Sequence, residues 1–486
     1  MATAKQPKPF PIEVHAKPGQ MLGMPVATFL RDYWQKRPLL IRNAFENFQT
    51  PVMPEDLAGL ACEQGVLARL ISHDGNNNGW NVRTGPFAEE DFPGMPDHDW
   101  TLLVQDVDKW DGDVRAMTEH FSFLPRWRMD DVMISFAATG GGVGAHVDQY
   151  DVFLMQAFGQ RRWKIDASES TKGKRPSLDF RDDAEIKLLK KFKASHDWVL
   201  NPGDMLYLPP NVPHDGVAVN PCLTFSFGMR APSAAELLSD FVDELVAGAC
   251  DDVRYTDGDL KAPVDPNEID TAALKRVVKA LNAIRLDDAQ QLENWFGRFI
   301  TTYRSATDIS PSPDTPDAVH IEPSLAAGWE LHRHPWARVA WRGNASGATV
   351  FFSGRDFAVA AKDAPLIAAA EVIDHALWRK LSAKGRKAVL ALVAAGGYQL
   401  LDPQAEDEDF DELEDEQYAD DQARALIAAE VSADEGEDED GPELEVEYIE
   451  LVADQDSDEH DQDGEDDDAP EMEVQYTEIA GDNDPA

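Results

Sequence analysis

Residues 140–151 read GGGVGAHVDQYD, and an apolar run, VFLMQAFG, follows directly at 152–159. The glycines predict a turn and the apolar run predicts a buried strand, so His146 and Asp148 should stand at the edge of a β element. Side chains two residues apart on an extended chain point to the same side. The stretch therefore predicts an imidazole and a carboxylate that face one ligand together.

A second motif, GDMLYLPPNVPHDGVAV at 203–219, supplies a distant histidine. Its glycine turn, short apolar run and proline-rich turn place His214 at the start of a following strand. Two histidines and one carboxylate form the facial triad of non-haem iron(II), which leaves positions open for a 2-oxo acid and dioxygen. His196 and the HRH run at 332–334 compete as third ligands. The first lies in a polar stretch and the second lies outside the β-rich region, so surface or core roles explain both better.

The basic run QRRWKI at 160–165 supplies the next chemical group. Strand alternation puts Arg161 in phase with Trp163 and Ile165, so the Arg161 guanidinium should point inward. A buried guanidinium needs an anion, and its fork matches a carboxylate. Two partners fit this requirement: the distal carboxylate of 2-oxoglutarate, or an internal aspartate or glutamate.

The order of patterns along the chain predicts an α+β protein in four parts. Residues 21–230 carry short apolar or alternating runs broken by turn residues, as in a β barrel or sandwich. Helical periodicity follows over 231–310, and mixed strands and helices occupy 324–401. Acids dominate 402–486, where we predict disorder.

The predicted strands lie at 39–42, 101–105, 132–137, 152–158, 161–165, 205–208, 223–229, 339–341, 349–352 and 357–360. The predicted helices lie at 25–36, 234–247, 271–285, 289–303, 366–381 and 385–395.

The charge of the chain is concentrated at one end. The formal net charge over 486 residues is −47, yet 38 acids against the single base Arg424 follow residue 400, and only −10 remains before them. Acidity argues against direct nucleic-acid binding and favours a basic protein partner.

Three cysteines without a CxxC pair indicate neither disulfides nor structural zinc. No apolar run approaches the roughly 18 residues of a membrane span, so we expect a soluble cytoplasmic protein.

Three stretches together carry a family resemblance: FLRDYWQKRPLLIR at 29–42, DDVMISFAATGGGVGAHVDQYDVFLMQAFGQRRWKI at 130–165, and PGDMLYLPPNVPHDGVAV at 202–219. With them the chain resembles the bacterial ribosomal oxygenases of the JmjC group, which hydroxylate an arginine of a large-subunit ribosomal protein. The resemblance covers about 25–401. It implies a double-stranded β-helix of the JmjC/cupin type, a helical dimerisation region, hence a homodimer, and a winged-helix-like C-terminal module.

The resemblance also implies roles for particular residues. It assigns the iron(II) ligands to His146, Asp148 and His214, and the 2-oxoglutarate contacts to Arg161 and Ser135, the latter on resemblance alone. Dioxygen is the further cosubstrate and a ribosomal protein is the partner. The acidic extension beyond residue 402 departs from the family pattern and puts the usual recruitment to the ribosomal substrate in doubt.

Two further residues and two rival functions stay open. Tyr150 and Asp151 follow the ligands closely enough to bind the substrate guanidinium, although an ordinary loop role is the alternative. A JmjC-type lysine demethylase would use the same iron chemistry. A non-catalytic cupin-like chaperone for basic ribosomal proteins is the rival from another class, but it would need neither the triad nor Arg161.

Overall fold

The protein is described by a computed structural model at residues 10–74, 79–167, 179–181, 187–247, 255–259, 271–281, 289–302, 309, 311, 315–316 and 318–403. The acidic tail that we predict to be disordered lies outside these residues from 404 onward. Within the described ranges, no helix is both long and apolar enough to cross a membrane.

Strands predominate in the first part of the described chain, helices follow, and strands and helices mix in the last part, as in an α+β protein. The strands are β1 (Glu13–His15), β2 (Leu39–Arg42), β3 (Ala68–Asp74), β4 (Gly79–Thr84), β5 (Trp100–Val104), β6 (Val132–Ala137), β7 (Asp151–Phe158), β8 (Arg161–Ile165), β9 (His196–Leu200), β10 (Met205–Leu208), β11 (His214–Ala218), β12 (Cys222–Met229), β13 (Glu330–Arg333), β14 (Val339–Asn344), β15 (Gly347–Phe352), β16 (Arg355–Val359), β17 (Val372–Ile373) and β18 (Tyr398–Leu401). The helices are α1 (Val26–Asp32), α2 (Pro54–Leu60), α3 (Val107–Trp110), α4 (Gly112–Met117), α5 (Ala234–Ala247), α6 (Thr271–Leu281), α7 (Ala289–Thr301), α8 (Ala318–Ala326), α9 (Ala364–Ala369), α10 (His375–Lys380) and α11 (Ala383–Val393). Short 3-10 turns lie at Glu89–Asp91, Thr118–Phe121 and Arg126–Arg128.

Two facing sheets form the double-stranded β-helix. Within the described residues the larger sheet runs β1-β2-β10-β7-β12-β6-β5-β3-β4, and the smaller runs β11-β8-β9. β7 pairs antiparallel with both β10 and β12, and its apolar residues are buried on both faces. Phe153 and Met155 join the core behind the large sheet, whereas Val152 and Leu154 join the core between the sheets. This two-sided burial explains why the VFLMQAFG run is apolar apart from Gln156, which is itself buried.

The helical stretch after the β-helix packs on the C-terminal module. The indole of Trp295 on α7 is buried and donates a 2.8 Å hydrogen bond to Asp240 on α5. Gly297 lies so close to Phe351 of β15 that a Cβ atom would come within 2.5 Å of the ring, so α7 rests directly on that strand. Helices α5 and α6 expose apolar side chains at Leu238, Val246, Leu274 and Val278.

The C-terminal module is a winged helix with its own core. Strands β14-β15-β16 form one small sheet and β17-β13-β18 another, packed with α8 to α11 around Val350, Phe352 and Trp378. The predicted helix over 366–381 was wrong, because the chain there forms α9, β17 and α10. Ile373 pairs with Leu331 of β13, and the Asp374 carboxylate then caps a new helix by accepting from the Leu377 N–H.

Candidate active site

The 142–148 segment carries two of the predicted ligands along the edge of β11. Backbone bridges join Gly142 to Val217 and His146 to His214, the latter through reciprocal N–H to carbonyl hydrogen bonds of 2.9 and 3.0 Å. A Cβ atom on Gly142 would come within 2.5 Å of a carbonyl oxygen of β11. The glycine-rich turn is therefore needed for the close approach that brings His146 beside His214.

The three predicted ligand side chains converge at one point. The Nε2 atom of His146 lies 3.8 Å from one carboxylate oxygen of Asp148, and Nε2 of His214 lies 3.5 Å from the other. One ligand atom from each residue falls within 4.8 Å of the others. This donor set of two imidazoles and one carboxylate suits a divalent transition metal with open positions.

Hydrogen bonds fix which nitrogen of each histidine is free. Nδ1 of His146 lies 2.8 Å from the Gly144 carbonyl, and Nδ1 of His214 lies 2.8 Å from the Val212 carbonyl. A carbonyl oxygen only accepts, so each Nδ1 carries the proton and each Nε2 presents a lone pair at the point where the three side chains converge. Burial lowers the pKa of His214 to about 4, and the neighbouring His146 acts in the same direction. His214 is therefore neutral at physiological pH, as a metal ligand must be.

Arg161 is a buried guanidinium whose hydrogen bonds, within the described part of the chain, go to neutral groups. It is 3% exposed, donates to the Ser135 hydroxyl at 3.1 Å and to the Gly216 carbonyl at 3.2 Å, and its Nε–H has no acceptor among the residues that the structure describes. Among the described residues no aspartate or glutamate forms an ion pair with it. Burial lowers its pKa. A guanidinium in this state fits an incoming carboxylate, since an unpaired buried charge is costly.

Arg161, Ser135 and the three converging side chains share one cavity of about 210 Å³. The neighbouring Arg162 points outward and forms a two-pronged ion pair with Asp197, as strand alternation predicted. Val152, Leu154 and Trp163 supply apolar wall between the triad and the guanidinium. These residues fit 2-oxoglutarate, with a metal at one end of the molecule and a cation at the other.

The same cavity has an acidic end, as a bound guanidinium would require, but the aspartates that form it were not predicted from the sequence. Asp106, Asp130 and Asp131 line it together with Tyr150. Burial raises the pKa of Asp131 to about 7, with repulsion from Asp106 and Asp130 in the same direction. Burial also raises the pKa of Tyr150, so its hydroxyl stays protonated. The DD pair before β6 was the available signal, but only the fold shows that it faces the triad.

Asp151 does not reach the cavity that Tyr150 lines. Its side chain is fully buried and accepts hydrogen bonds from Tyr207 at 2.6 Å, Gln35 at 2.9 Å and Arg128 at 3.3 Å. Consecutive residues entering β7 point to opposite sides, so the pair cannot face one ligand. The interpretation of Asp151 as a substrate contact is therefore replaced by a structural one.

The rejected third-ligand candidates lie elsewhere. His196 contacts Ser195 and stacks on Trp198 in β9, and His332 pairs with Glu330 in β13. Within the described residues, the metal-competent group contains neither.

We expect Asp151→Ala to destabilise the fold by about 3 kcal/mol, because it removes the buried carboxylate that accepts hydrogen bonds from Tyr207, Gln35 and Arg128. Urea unfolding followed by circular dichroism measures this change. Asp197→Ala removes only an exposed ion pair and should stay within about 0.5 kcal/mol of the parent. Equal stability of the two variants would contradict a structural role for Asp151.

Comparison with known proteins agrees with this geometry. Residues 116–237 match the JmjC domain family and residues 284–399 match the ROXA-like winged helix family. The chain is 37% identical over 294 residues to the ribosomal protein uL16 3-hydroxylase of Escherichia coli (strain K12), covering 60% of this chain and 76% of that protein.

Solved structures show the same likeness along the whole fold. The X-ray structure of E. coli YcfD superposes with a TM-score of 0.70 at 31% identity, covering 78% of this chain and 99% of that one. A structure of the ribosomal oxygenase YcfD in complex with cobalt and 2-oxoglutarate superposes with a TM-score of 0.65 at 32% identity, over the same shares. The chain belongs to the JmjC family of ribosomal oxygenases.

Proposed function

We propose that this chain, a 2-oxoglutarate-dependent oxygenase, hydroxylates an arginine side chain of a large-subunit ribosomal protein. The observation that carries the proposal is a single cavity lined by the metal-binding triad, a buried guanidinium and three further carboxylates. The relative named for hydroxylation of uL16 supports a ribosomal protein as the target. The acidic end supports a basic side chain as the group that enters.

Each part of the cavity has one task in this proposal. His146, Asp148 and His214 hold iron(II), with their Nε2 and carboxylate oxygen atoms already facing one another. Iron(II) with 2-oxoglutarate and dioxygen supplies the oxidising chemistry that inserts a hydroxyl at an unactivated carbon. Arg161 and Ser135 bind the far carboxylate of 2-oxoglutarate and so fix its direction in the cavity.

The acidic end binds the target guanidinium. Asp131 accepts from it as a carboxylate, and Tyr150, which is partly exposed at the mouth, contacts the arriving chain. Asp131 directly precedes β6, whereas Arg161 contacts Ser135 further along that strand, so the anionic cosubstrate and the cationic substrate bind in separate places.

The direct test is incubation of the iron-loaded protein with 2-oxoglutarate, oxygen and arginine-bearing peptides of ribosomal protein uL16. Mass spectrometry should show a gain of one oxygen atom on an arginine, and fragmentation locates it. Succinate without peptide oxidation would reject the substrate and retain the oxygenase. Loss of methyl groups from a methyl-lysine peptide in parallel would instead favour the demethylase, and binding of basic proteins without turnover would favour the chaperone.

The pH dependence of substrate binding follows from Asp131. Its carboxyl is mostly protonated below pH 7 and mostly ionised above it, so the KM for the arginine peptide should fall about tenfold between pH 6 and 8. Steady-state kinetics at saturating 2-oxoglutarate measures this change. Asp131→Asn cannot ionise and should show a high, flat KM over that range. A parallel fall in the variant would assign the pH effect to another group.

We propose further that the enzyme acts in the cytoplasm as a homodimer, without binding nucleic acid directly. The apolar side chains exposed on α5 and α6 support a protein partner for this region. Sedimentation velocity should give twice the chain mass, and Leu238→Glu with Leu274→Glu should shift it towards the monomer. A monomer at micromolar concentration in the parent protein would reject the dimer.

A further inference from the structure

An arginine of the winged-helix module reaches the acidic end of the cavity. Arg338 lies just before β14, and its guanidinium donates to the backbone carbonyl of Asp130 at 2.9 Å and to the Asp130 carboxylate at 2.6 Å. The two side chains are only 19% and 23% exposed. Close by, the rings of Trp336 and Trp110 pack edge to face, 6.1 Å apart. The module therefore touches a residue that lines the site.

The segment that Arg338 contacts is also held from within the β-helix, where the Lys109 ammonium donates to the Asp130 carbonyl at 3.4 Å. Its backbone pairs with Gly228 of β12, since the Asp130 N–H donates to the Gly228 carbonyl at 2.9 Å and the Gly228 N–H donates to the Asp131 carbonyl at 3.0 Å. The Val132 N–H donates to the Asp108 carboxylate at 2.8 Å. Of these attachments, only Arg338 comes from outside the β-helix. Arg338 therefore couples the position of residues 130–132 to the winged-helix module.

The contact between Arg338 and Asp130 also reduces the repulsion among neighbouring carboxylates. Asp106, Asp108, Asp130 and Asp131 crowd together, and their mutual repulsion disfavours a compact arrangement. Lys109 pairs with Asp108, and Arg338 pairs with Asp130. Because Asp130 is engaged by Arg338, Asp131 is the member of the Asp130–Asp131 pair whose carboxyl can meet a ligand in the cavity.

We propose that Arg338 is a positioning residue for the substrate side chain: by fixing Asp130 it holds Asp131 in the place where it meets the target guanidinium. The expected effect on the KM for the peptide rests on the proposed arginine hydroxylation, whereas the expected effect on the position of Asp130 and Asp131 does not. The winged-helix module thereby contributes to substrate selection without touching the metal or 2-oxoglutarate.

The test compares Arg338→Ala and Arg338→Lys with Arg342→Ala in the full-length, iron-loaded protein. Arg342 is the matched control, because it lies on β14 of the same module and pairs with the exposed Glu293 instead of Asp130. We expect Arg338→Ala to raise the KM for the uL16 arginine peptide about tenfold, with kcat within about twofold and the KM for 2-oxoglutarate unchanged. Arg338→Lys keeps one charged donor and should recover part of the loss. Arg342→Ala should match the parent.

Hydrogen exchange measured by mass spectrometry tests the positioning without any substrate. Amides of 130–132 should exchange at least about tenfold faster in Arg338→Ala than in Arg342→Ala, while β14 and β15 keep their protection. Parent-like exchange in 130–132 together with a parent-like peptide KM would overturn the inference. An equal loss of kcat and of affinity for 2-oxoglutarate would overturn it as well, because it would indicate general damage. Faster exchange in the variant, with no peptide oxidation by the parent, would uphold the positioning role and reject the proposed substrate.

Discussion

Asp148→Ala is expected to lower peptide hydroxylation at least about a thousandfold, because it removes the only carboxylate among the three converging ligands. The two remaining imidazoles keep their hydrogen bonds to the Gly144 and Val212 carbonyls, so the fold should survive the change. Metal content by atomic emission and peptide oxidation by mass spectrometry, measured on the same sample, link the loss to the metal.

Asp197→Ala is the matched control for Asp148→Ala. It removes a carboxylate of the same kind from the surface of the smaller sheet, where its partner is the exposed Arg162. Its activity and metal content should equal those of the parent. If Asp148→Ala kept more than a tenth of the parental turnover, the assignment of Asp148 as a ligand would have to be abandoned.

The second large effect is expected at the other end of the cosubstrate. Arg161→Ala should raise the KM for 2-oxoglutarate about a hundredfold, because the buried guanidinium and its unpaired Nε–H offer the charge-assisted hydrogen bonds that its far carboxylate needs. Succinate formation at varied 2-oxoglutarate concentration measures the change. Metal content should stay as in the parent, which separates this variant from Asp148→Ala.

Arg162→Ala tests the same strand on its other face. The substitution removes a guanidinium of equal size one residue away, and the only described hydrogen bonds of that side chain go to Asp197. Its KM for 2-oxoglutarate should be within about twofold of the parent. A similar rise in both variants would mean that net charge on the strand, and not a site for the cosubstrate, sets the affinity.

The elements next to the triad could be predicted from the sequence because their patterns are local. The strand predictions at 132–137, 161–165 and 205–208 are confirmed to the residue, since burial on one or both faces fixes their alternation. The helix at 234–247 is confirmed equally well. The double-stranded β-helix and the winged helix were predicted only through family resemblance, because strand pairing joins residues far apart in sequence.

What the sequence did not reveal depends on contacts across the fold. Asp131 lines the cavity because β6 lies beside β12, a relation that no spacing in the chain encodes. Asp151 was predicted as a substrate contact from its nearness to Asp148. Side chains alternate along β7, however, and that of Asp151 points into the core. The long predicted helix at 366–381 failed because pairing of β17 with β13 outweighs helix propensity over two residues.

The two histidine hydrogen bonds to backbone carbonyls have a consequence for metal choice. Because both rings are oriented by the chain itself, the chelate is preorganised and little rearrangement accompanies ion capture. Such a ligand set binds any divalent transition ion that accepts two nitrogens and an oxygen. In the general order of affinities among these ions, iron(II) is not the most tightly bound. Whether the site binds iron(II) or another divalent transition ion therefore depends on the concentrations of the free ions around the protein.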